Sequence, residues 1–441
     1  MKIHFINIGC KVNFVELSRL KEIFKNLNYI INDKIEDSDI VLINTCSVTN
    51  KAAADSRKLI RRVRKINPNS FIGVLGCYAQ LNPEEIIKNT EADAVFGINE
   101  KFNIAQIIQE KIQNKNILNN KYNSKIFVSP IVNKFDYAYS GDSESRTRAI
   151  IKLQDGCNYK CSYCTIPLAR GNSRSINFDN ILPQIKEIYN SGFKEIVLTG
   201  INLSDYNYNN KNFYDILKLI SKLELSLRFR ISSIEPHIIT NELLDIIINS
   251  KNICPHFHIP LQSGCDEILK KMRRRYNTDK FRKYIELINS YMPNASIGLD
   301  VITGFPTENN NLFEETYNFI NSLNITYLHC FSFSKRDNTE AYTMLGQVDN
   351  ITKKYRINEL LKISKQKTKQ YYEKNLNNIL TLLPEKSNIE KEKYIITGHT
   401  ENYIPIILKY NKSLNNDFYK IQLNSINSNN NNYTVNATLI Q

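Results

Sequence analysis

Long hydrophobic runs are missing from this 441-residue chain. None approaches the ~20 apolar residues that a membrane-spanning helix requires, so no membrane association is expected. The opening stretch MKIHFINIG reads as a short strand; it lacks the apolar core and small-residue cleavage site of a secretory signal. A cytoplasmic location is expected, with the nine cysteines reduced or metal-bound rather than paired in disulfides. Acidic side chains are in deficit: 44 Asp and Glu stand against 58 Lys and Arg, a formal net charge of +14. Such a surplus favours a polyanionic partner. Lys, Asn and Ile are abundant throughout, as an AT-rich genome would produce, so charge alone supports nucleic acid only weakly. Hydrophobic residues at 42% suffice for ordinary cores, and the length predicts about three domains at ~150 residues each.

A fourth ligand is also missing where one is first sought. Cys157, Cys161 and Cys164 form a C-x3-C-x2-C run, and the next Cys or His after it is His237, far along the chain. A structural zinc site would want a nearby fourth ligand, and a disulfide would leave one of the three thiols unpaired. Three thiolates can instead hold three corners of a cubic iron–sulfur cluster and leave one iron open. Open coordination belongs to chemistry more than to structure.

Residues 1–112 alternate apolar strands with amphipathic helices, the pattern of a parallel α/β domain. Strands are expected at Ile3–Ile8, Ile40–Asn44, Phe71–Leu75 and Ala94–Phe96. Cys10, Cys46 and Cys77 each fall within about two residues after the end of one of these, and in open parallel sheets those loops gather on one edge. The three thiols should converge there as a second three-cysteine site. Residues 113–145 are polar and irregular and read as a linker. Residues 146–372 contain six strand-plus-helix units, which should curl into a partial (β/α)6 barrel with the cysteine run after its first strand, at the mouth. Residues 375–441 carry five short strands and read as a small antiparallel β-barrel, with the Asn-rich stretch 424–432 as a flexible hairpin tip. His256 and His258 share one face of a barrel strand and read as packing residues rather than a metal pair. Cys254, Cys265 and Cys330 have no partner pattern and read as bystanders. Lys58, Arg61, Arg62 and Lys65 share a helix face that could contact RNA or simply face water. The run Lys270–Arg275 is denser and better suited to phosphate.

Several local strings make a resemblance specific. The C-x3-C-x2-C spacing, with Tyr163 before its third cysteine, is similar to that of radical S-adenosylmethionine (SAM) enzymes. NTC at 44–46, GCYAQ at 76–80, CTIPLARGNSRS at 164–175, LTGIN at 198–202, SSIEP at 232–236, HIPLQSG at 258–264 and GFPTE at 304–308 extend it. With the three-part layout, the chain resembles the radical-SAM methylthiotransferases over essentially its whole length. The resemblance implies two [4Fe–4S] clusters, one on Cys157, Cys161 and Cys164 that cleaves SAM to a 5′-deoxyadenosyl radical. The other, on Cys10, Cys46 and Cys77, would carry the sulfur to be inserted. It further implies Tyr163, Asn202, Glu235 and residues 303–308 near SAM, Arg170 and Arg174 meeting SAM or substrate, and a C-terminal RNA-binding TRAM domain.

SSIEP, KKMRRRY at 270–276 and FSKR at 333–336 look most like the threonylcarbamoyladenosine (MtaB-type) branch. That branch methylthiolates C2 of the modified adenosine immediately 3′ of the anticodon (A37) of tRNA. A threonylcarbamoyl group carries a carboxylate, which an Arg-rich mouth suits better than it suits a prenyl chain. The implied partners are the anticodon stem-loop of tRNA and a small electron-transfer protein as reductant. Related alternatives are isopentenyladenosine in tRNA and an aspartate of a ribosomal protein, the latter disfavoured because its target is itself basic. From another class, the chain could be a non-catalytic RNA-binding iron–sulfur redox sensor. Sensors commonly close all four iron corners, and neither cysteine triad does.

Overall fold

The computed structural model describes residues 1–47, 49–113, 125–140, 147–390, 393–429 and 432–440. The chain divides into two compact units. The first comprises residues 1–140, 150–176 and 334–342, the second 141–149, 177–333 and 343–441.

The first unit is built on a parallel sheet in the order Ile30–Ile31, Lys2–Asn7, Ile40–Thr45, Phe71–Gly76, Ala94–Phe96, Lys125–Phe127. The central strands IVLINT and FIGVLG are buried at every residue, the signature of parallel strands covered on both faces. Their alternation sorts side chains between two cores. Ile40, Leu42 and Phe71 pack with Leu17, Leu20 and Phe24 of the helix Lys11–Asn26. Val41, Ile43, Ile72 and Val74 pack with Ile60 and Val63 of the helix Asn50–Ile66. Each such side chain contributes about 1.5–3 kcal/mol on burial, and a one-residue slip would exchange the two sets. Lys125–Phe127 falls within the stretch read as linker yet forms the edge strand, where Phe127 stacks on Phe96 at 5.3 Å. Residues 114–124 and 141–146 of that stretch lie outside the described residues.

In the second unit, Glu195–Thr199 pairs in parallel with Arg228–Ile231. His256–Gln262, Ser296–Thr303 and Tyr327–Ser332 form another parallel sheet. Isolated parallel bridges, Phe229 to Ile253 and Ser233 to His258, link the two sheets as arcs of one incomplete barrel. Helices fill the crossovers at Phe213–Ser221, Asn241–Ile248, Asp266–Lys271 with Thr278–Tyr291, and Asn310–Ser322. The expected first barrel strand, observed as Arg148–Lys152, is divided between the two units.

The C-terminal strands close into a five-stranded barrel in the order Ile379–Glu390, Lys393–Thr400, Pro405–Tyr410, Asn432–Leu439, Tyr419–Asn429. Its pairs are antiparallel except Pro405–Tyr410 with Asn432–Leu439. An odd ring of strands cannot alternate direction all the way round, so one parallel seam is unavoidable. The Asn-rich stretch is strand up to Asn429 and again from Asn432, and residues 430–431, where the tip was expected, lie outside the described residues. Asn427 and Asn436 exchange side-chain hydrogen bonds of 2.6 and 3.1 Å across the ladder, a pairing that composition conceals.

One buried anion organises this unit. Glu195, fully buried, accepts from Arg228 Nε at 2.5 Å and Arg230 Nε at 2.9 Å, with Arg148 Nε at 3.5 Å. The same arginines donate onward to backbone carbonyls of the C-terminal barrel: Arg228 to Thr381 and His399, Arg230 to Thr400 and Glu401. Burial opposes ionisation of Glu195, but Arg230, Arg228 and Arg148 overcome it and hold its pKa well below the carboxylate range. Glu195→Gln should therefore cost about 3–5 kcal/mol, read as a lower urea midpoint at pH 7. Because the folded pKa is depressed, this contribution is complete above the unfolded value of ~4.3 and is lost as pH falls below it. The gap between wild type and variant should narrow below about pH 4.

Candidate functional site

All six cysteines of the two expected triads lie in the first unit. Cys46 directly follows the strand Ile40–Thr45, and Cys77 opens the short helix Cys77–Leu81 directly after Phe71–Gly76. Cys10 caps the helix Lys11–Asn26, three residues beyond the strand Lys2–Asn7. Gly76 makes the tight passage from strand to thiol possible. Its φ is +100°, and a Cβ there would stand 2.4 Å from the Thr45 carbonyl oxygen.

Asn13 ties the three loops together. Its Oδ1 lies 3.7 Å from Cys10 Sγ and 4.0 Å from Cys77 Sγ, while its Nδ2 donates to the Thr45 carbonyl at 2.9 Å. Cys10 and Cys77 thus share one asparagine, whose amide also reaches the residue before Cys46. Cys77 is buried, and burial pushes its thiol up, against the opposing pull of Arg170.

Arg170 is fully buried, and its guanidinium is spent within the unit. Nε donates to Cys77 Sγ at 3.2 Å, Nη1 to Glu16 at 3.0 Å and Asp155 at 2.9 Å, and Nη2 to Asn13 at 2.6 Å and Glu16 at 3.0 Å. Expected as a contact to SAM or substrate, it instead sets the geometry behind the thiols. Lys101 and Lys152 complete the cluster on Glu16, and Lys152 also reaches Asp155 at 3.4 Å. Arg174 Nη2 joins Asp155 at 3.1 Å. Burial opposes the charge of Glu16, but Arg170, Lys101 and Lys152 hold it ionised. Two carboxylates, Glu16 and Asp155, face four cations, Arg170, Lys101, Lys152 and Arg174, which leaves positive charge in surplus in the cluster that Arg170 joins to Cys77. That surplus suits an anionic thiolate–metal group, so the residues present fit an iron–sulfur cluster.

The second triad occupies the loop between the strand Gln154–Asp155 and the helix Ile166–Arg170. Cys157 N donates to the Gly171 carbonyl at 3.1 Å, Tyr159 N to Cys157 Sγ at 3.3 Å, and Cys164 N to the Cys161 carbonyl at 3.1 Å. The thiols of Cys157, Cys161 and Cys164 are half-buried, as is Tyr163. A sulfur that accepts a backbone N–H and remains reachable also fits cluster ligation.

The other candidate SAM residues belong to the second unit. Asn202 is buried at the turn after Glu195–Thr199, and Glu235 follows Arg228–Ile231. Their loops meet where Glu235 N donates to Ser204 Oγ at 2.8 Å. Glu235 pairs with Arg274, the buried member of the basic run, while Lys271 donates to Glu267 and Thr307. That run is thus partly structural; Arg273 and Arg275 remain exposed. Glu308 is paired with Arg356 and accepts from Gly304 N. Lys58, Arg61, Arg62 and Lys65 are exposed, and Arg61 is engaged by the Asn89 carbonyl. Cys254 and Cys265 are buried and Cys330 is half-buried; burial, joined by a hydrogen bond to Glu315, pushes the Cys265 thiol to about 11, and burial takes Cys330 to about 12. His256 is buried against Tyr403, with Nε2 2.9 Å from the Tyr327 hydroxyl.

Asn13, Glu16, Lys101, Lys152 and Asp155 were assigned no role by the sequence reading, and Arg336 entered it only within the string FSKR. Asn13 and Glu16 left one signal, two polar residues three apart on one helix face directly after a cysteine. Lys101 left none, since its partner is 85 residues away.

Comparison with known proteins fits this geometry. Residues 151–320 match the Radical SAM superfamily and residues 2–97 match Uncharacterized protein family UPF0004. The chain is 36% identical over 424 residues, 95% of its length and 93% of the relative's, to "Threonylcarbamoyladenosine tRNA methylthiotransferase MtaB" of Bacillus subtilis. The chain belongs to the radical-SAM methylthiotransferase family, in the branch of its MtaB-named members. A "tRNA-2-methylthio-N(6)-dimethylallyladenosine synthase" of Fusobacterium nucleatum is 31% identical, with 96% of this chain and 97% of that protein covered. In fold, the chain is similar to the radical S-adenosylmethionine methyltransferase TsrM of Kitasatospora setae. The TM-score is 0.54 at 13% identity, with 77% of each chain covered.

As a radical-SAM tRNA methylthiotransferase, the protein uses SAM and two [4Fe–4S] clusters. No described helix is long and apolar enough to cross a membrane. Arg170→Leu should cost about 3–5 kcal/mol in chemical denaturation, because it removes the one side chain that bonds the buried Glu16, Asp155, Asn13 and Cys77 together. Arg170→Lys should recover only part of the loss, since one ammonium cannot reproduce the guanidinium fork.

Proposed function

We propose that this enzyme converts N6-threonylcarbamoyladenosine at position 37 of tRNA, next to the anticodon, to its 2-methylthio form. One observation carries the choice of substrate. Arg336 belongs to the first unit, where its Nη1 donates at 2.7 Å to Oδ1 of Asn50, four residues beyond Cys46. Its Nε and Nη2 are buried with no hydrogen-bond partner among the described residues. Burial opposes the charge of this guanidinium, and Cys46 is among the groups that sustain it. A buried guanidinium edge left open costs about 1–3 kcal/mol or more until an anion fills it, and a carboxylate fits that edge with two parallel bonds. The threonylcarbamoyl group brings a carboxylate; a prenyl group brings none.

In this reading Cys157, Cys161 and Cys164 hold the cluster that meets SAM, and Cys10, Cys46 and Cys77 hold the second. Bound there, these cofactors supply a radical able to take hydrogen from C2, together with the sulfur and the methyl group. The chain's own residues position and exclude. Asn13 holds the thiols of Cys10 and Cys77, Arg170 that of Cys77, and Arg336 orients the substrate carboxylate. Tyr163, Asn202 and an Arg274-braced Glu235 border SAM. The C-terminal barrel, as a TRAM domain, grips the anticodon stem-loop. The electron arrives from a small electron-transfer protein in the cytoplasm, where thiols stay reduced.

Nucleoside mass spectrometry of total tRNA from a deletion strain tests the substrate. The methylthio group should vanish from the threonylcarbamoyl nucleoside; its loss from the prenylated nucleoside alone overturns the reading. Anaerobically reconstituted protein should hold about eight irons, and the Cys10, Cys46 and Cys77 triple alanine variant about four. Arg336→Ala should lower kcat/KM for threonylcarbamoylated tRNA by roughly 10- to 100-fold, as removal of a charged hydrogen-bond donor does. Its iron content should be unchanged.

A further inference from the structure

His258, Asp300 and His329 meet on one face of the parallel sheet in the second unit. Asp300 and His329 are direct cross-strand partners, and His258 lies diagonal to Asp300, opposite Gly298. Their donor atoms form a small triangle. His258 Nε2 is 3.0 Å from Asp300 Oδ1, His329 Nδ1 is 3.3 Å from the same oxygen, and the two ring nitrogens are 3.1 Å apart. The geometry points to a binding site for one divalent transition-metal ion of the zinc class, ligated by His258 Nε2, His329 Nδ1 and Asp300 Oδ1.

The dimensions carry this. Ligands about 2.0–2.2 Å from a zinc ion lie about 3.3–3.5 Å apart at tetrahedral angles and about 3.0 Å apart at right angles. All three sides of the observed triangle fall between those limits or within a few tenths of an ångström of them. Two imidazoles and one carboxylate form a donor set for zinc or ferrous iron, whereas calcium and magnesium prefer all-oxygen sites.

The surroundings are those of a supported ligand. Ser233 Oγ lies 2.5 Å from His258 Nδ1. With Nδ1–H donating to that oxygen, Nε2 offers its lone pair to the triangle, the tautomer that metal-bound imidazoles are held in by outer partners. Tyr327 fixes the floor. Its ring lies 6.5 Å from that of His258 and 5.2 Å from that of His329, over Gly298, where a Cβ would stand 2.1 Å from the ring. The His329 side chain is 53% exposed, so an ion has an entry path and room for water at its remaining positions.

The test uses the full-length, anaerobically reconstituted enzyme with both clusters loaded, so that the cysteines do not compete. Titration with zinc chloride by calorimetry should show one saturable site per chain. His329→Ala and Asp300→Asn should each weaken it by roughly 100-fold or more, beyond the 10–100-fold typical of outer-partner loss. Ser233→Ala should weaken it by about 10-fold. Iron content and circular dichroism of each variant should match wild type; His329 is half-exposed, so its truncation spares the core. Absence of a stoichiometric zinc site in wild type overturns the proposal. So does unchanged affinity in both His329→Ala and Asp300→Asn, which would leave the triangle a hydrogen-bonded network.

Discussion

A single buried guanidinium holds the catalytic half of this enzyme together. Arg170 lies four residues before Arg174 and bonds Cys77 of one triad, Asp155 just before the other triad, and Glu16 on the helix that Cys10 caps. Segments more than 150 residues apart in sequence are thereby locked to one another, as the Arg170–Glu16 separation of 154 shows. Breaking one partner of such a cluster is expensive because the remaining charges stay buried. The cations near Cys77 also oppose the burial that pushes its thiol up. Position and electrostatics are set by the same side chain.

The second unit repeats this logic with the sign reversed. There a buried carboxylate, Glu195, gathers three arginines, and two of them reach carbonyl oxygens of the C-terminal barrel. Their geometry fixes the C-terminal barrel against the start of the parallel strands. Directional bonds of this kind specify an orientation, which apolar packing alone leaves less defined.

Legibility differed by feature for physical reasons. The parallel sheet was readable because strands buried on both faces are continuous apolar runs, and the cysteines announced themselves by following those runs. Asn13 was not readable, because an asparagine on a helix has many uses and only its three partners reveal this one. The Arg170 assignment moved for a similar reason: its position in the CTIPLARGNSRS string suggested a ligand contact, while burial shows it bracing thiols from behind. Lys125–Phe127 was hidden by its polar flanks, and the Asn-rich arm by its composition, although both are ordinary strands. His258 read as packing because a strand shows only its own alternation; Asp300 and His329 come from two later strands.

By itself the sequence determined the two cysteine triads, their open fourth corners and the order of α/β, barrel and small β-barrel segments. Spacing and strand ends are local properties, written in consecutive residues. Only the tertiary structure decided that Arg170 serves Cys77, that Arg336 bonds Asn50 and keeps an open edge, and that two histidines meet one aspartate. Each of these depends on side chains brought within about 3 Å across long stretches of chain, and distances of that kind are set by packing rather than by sequence order.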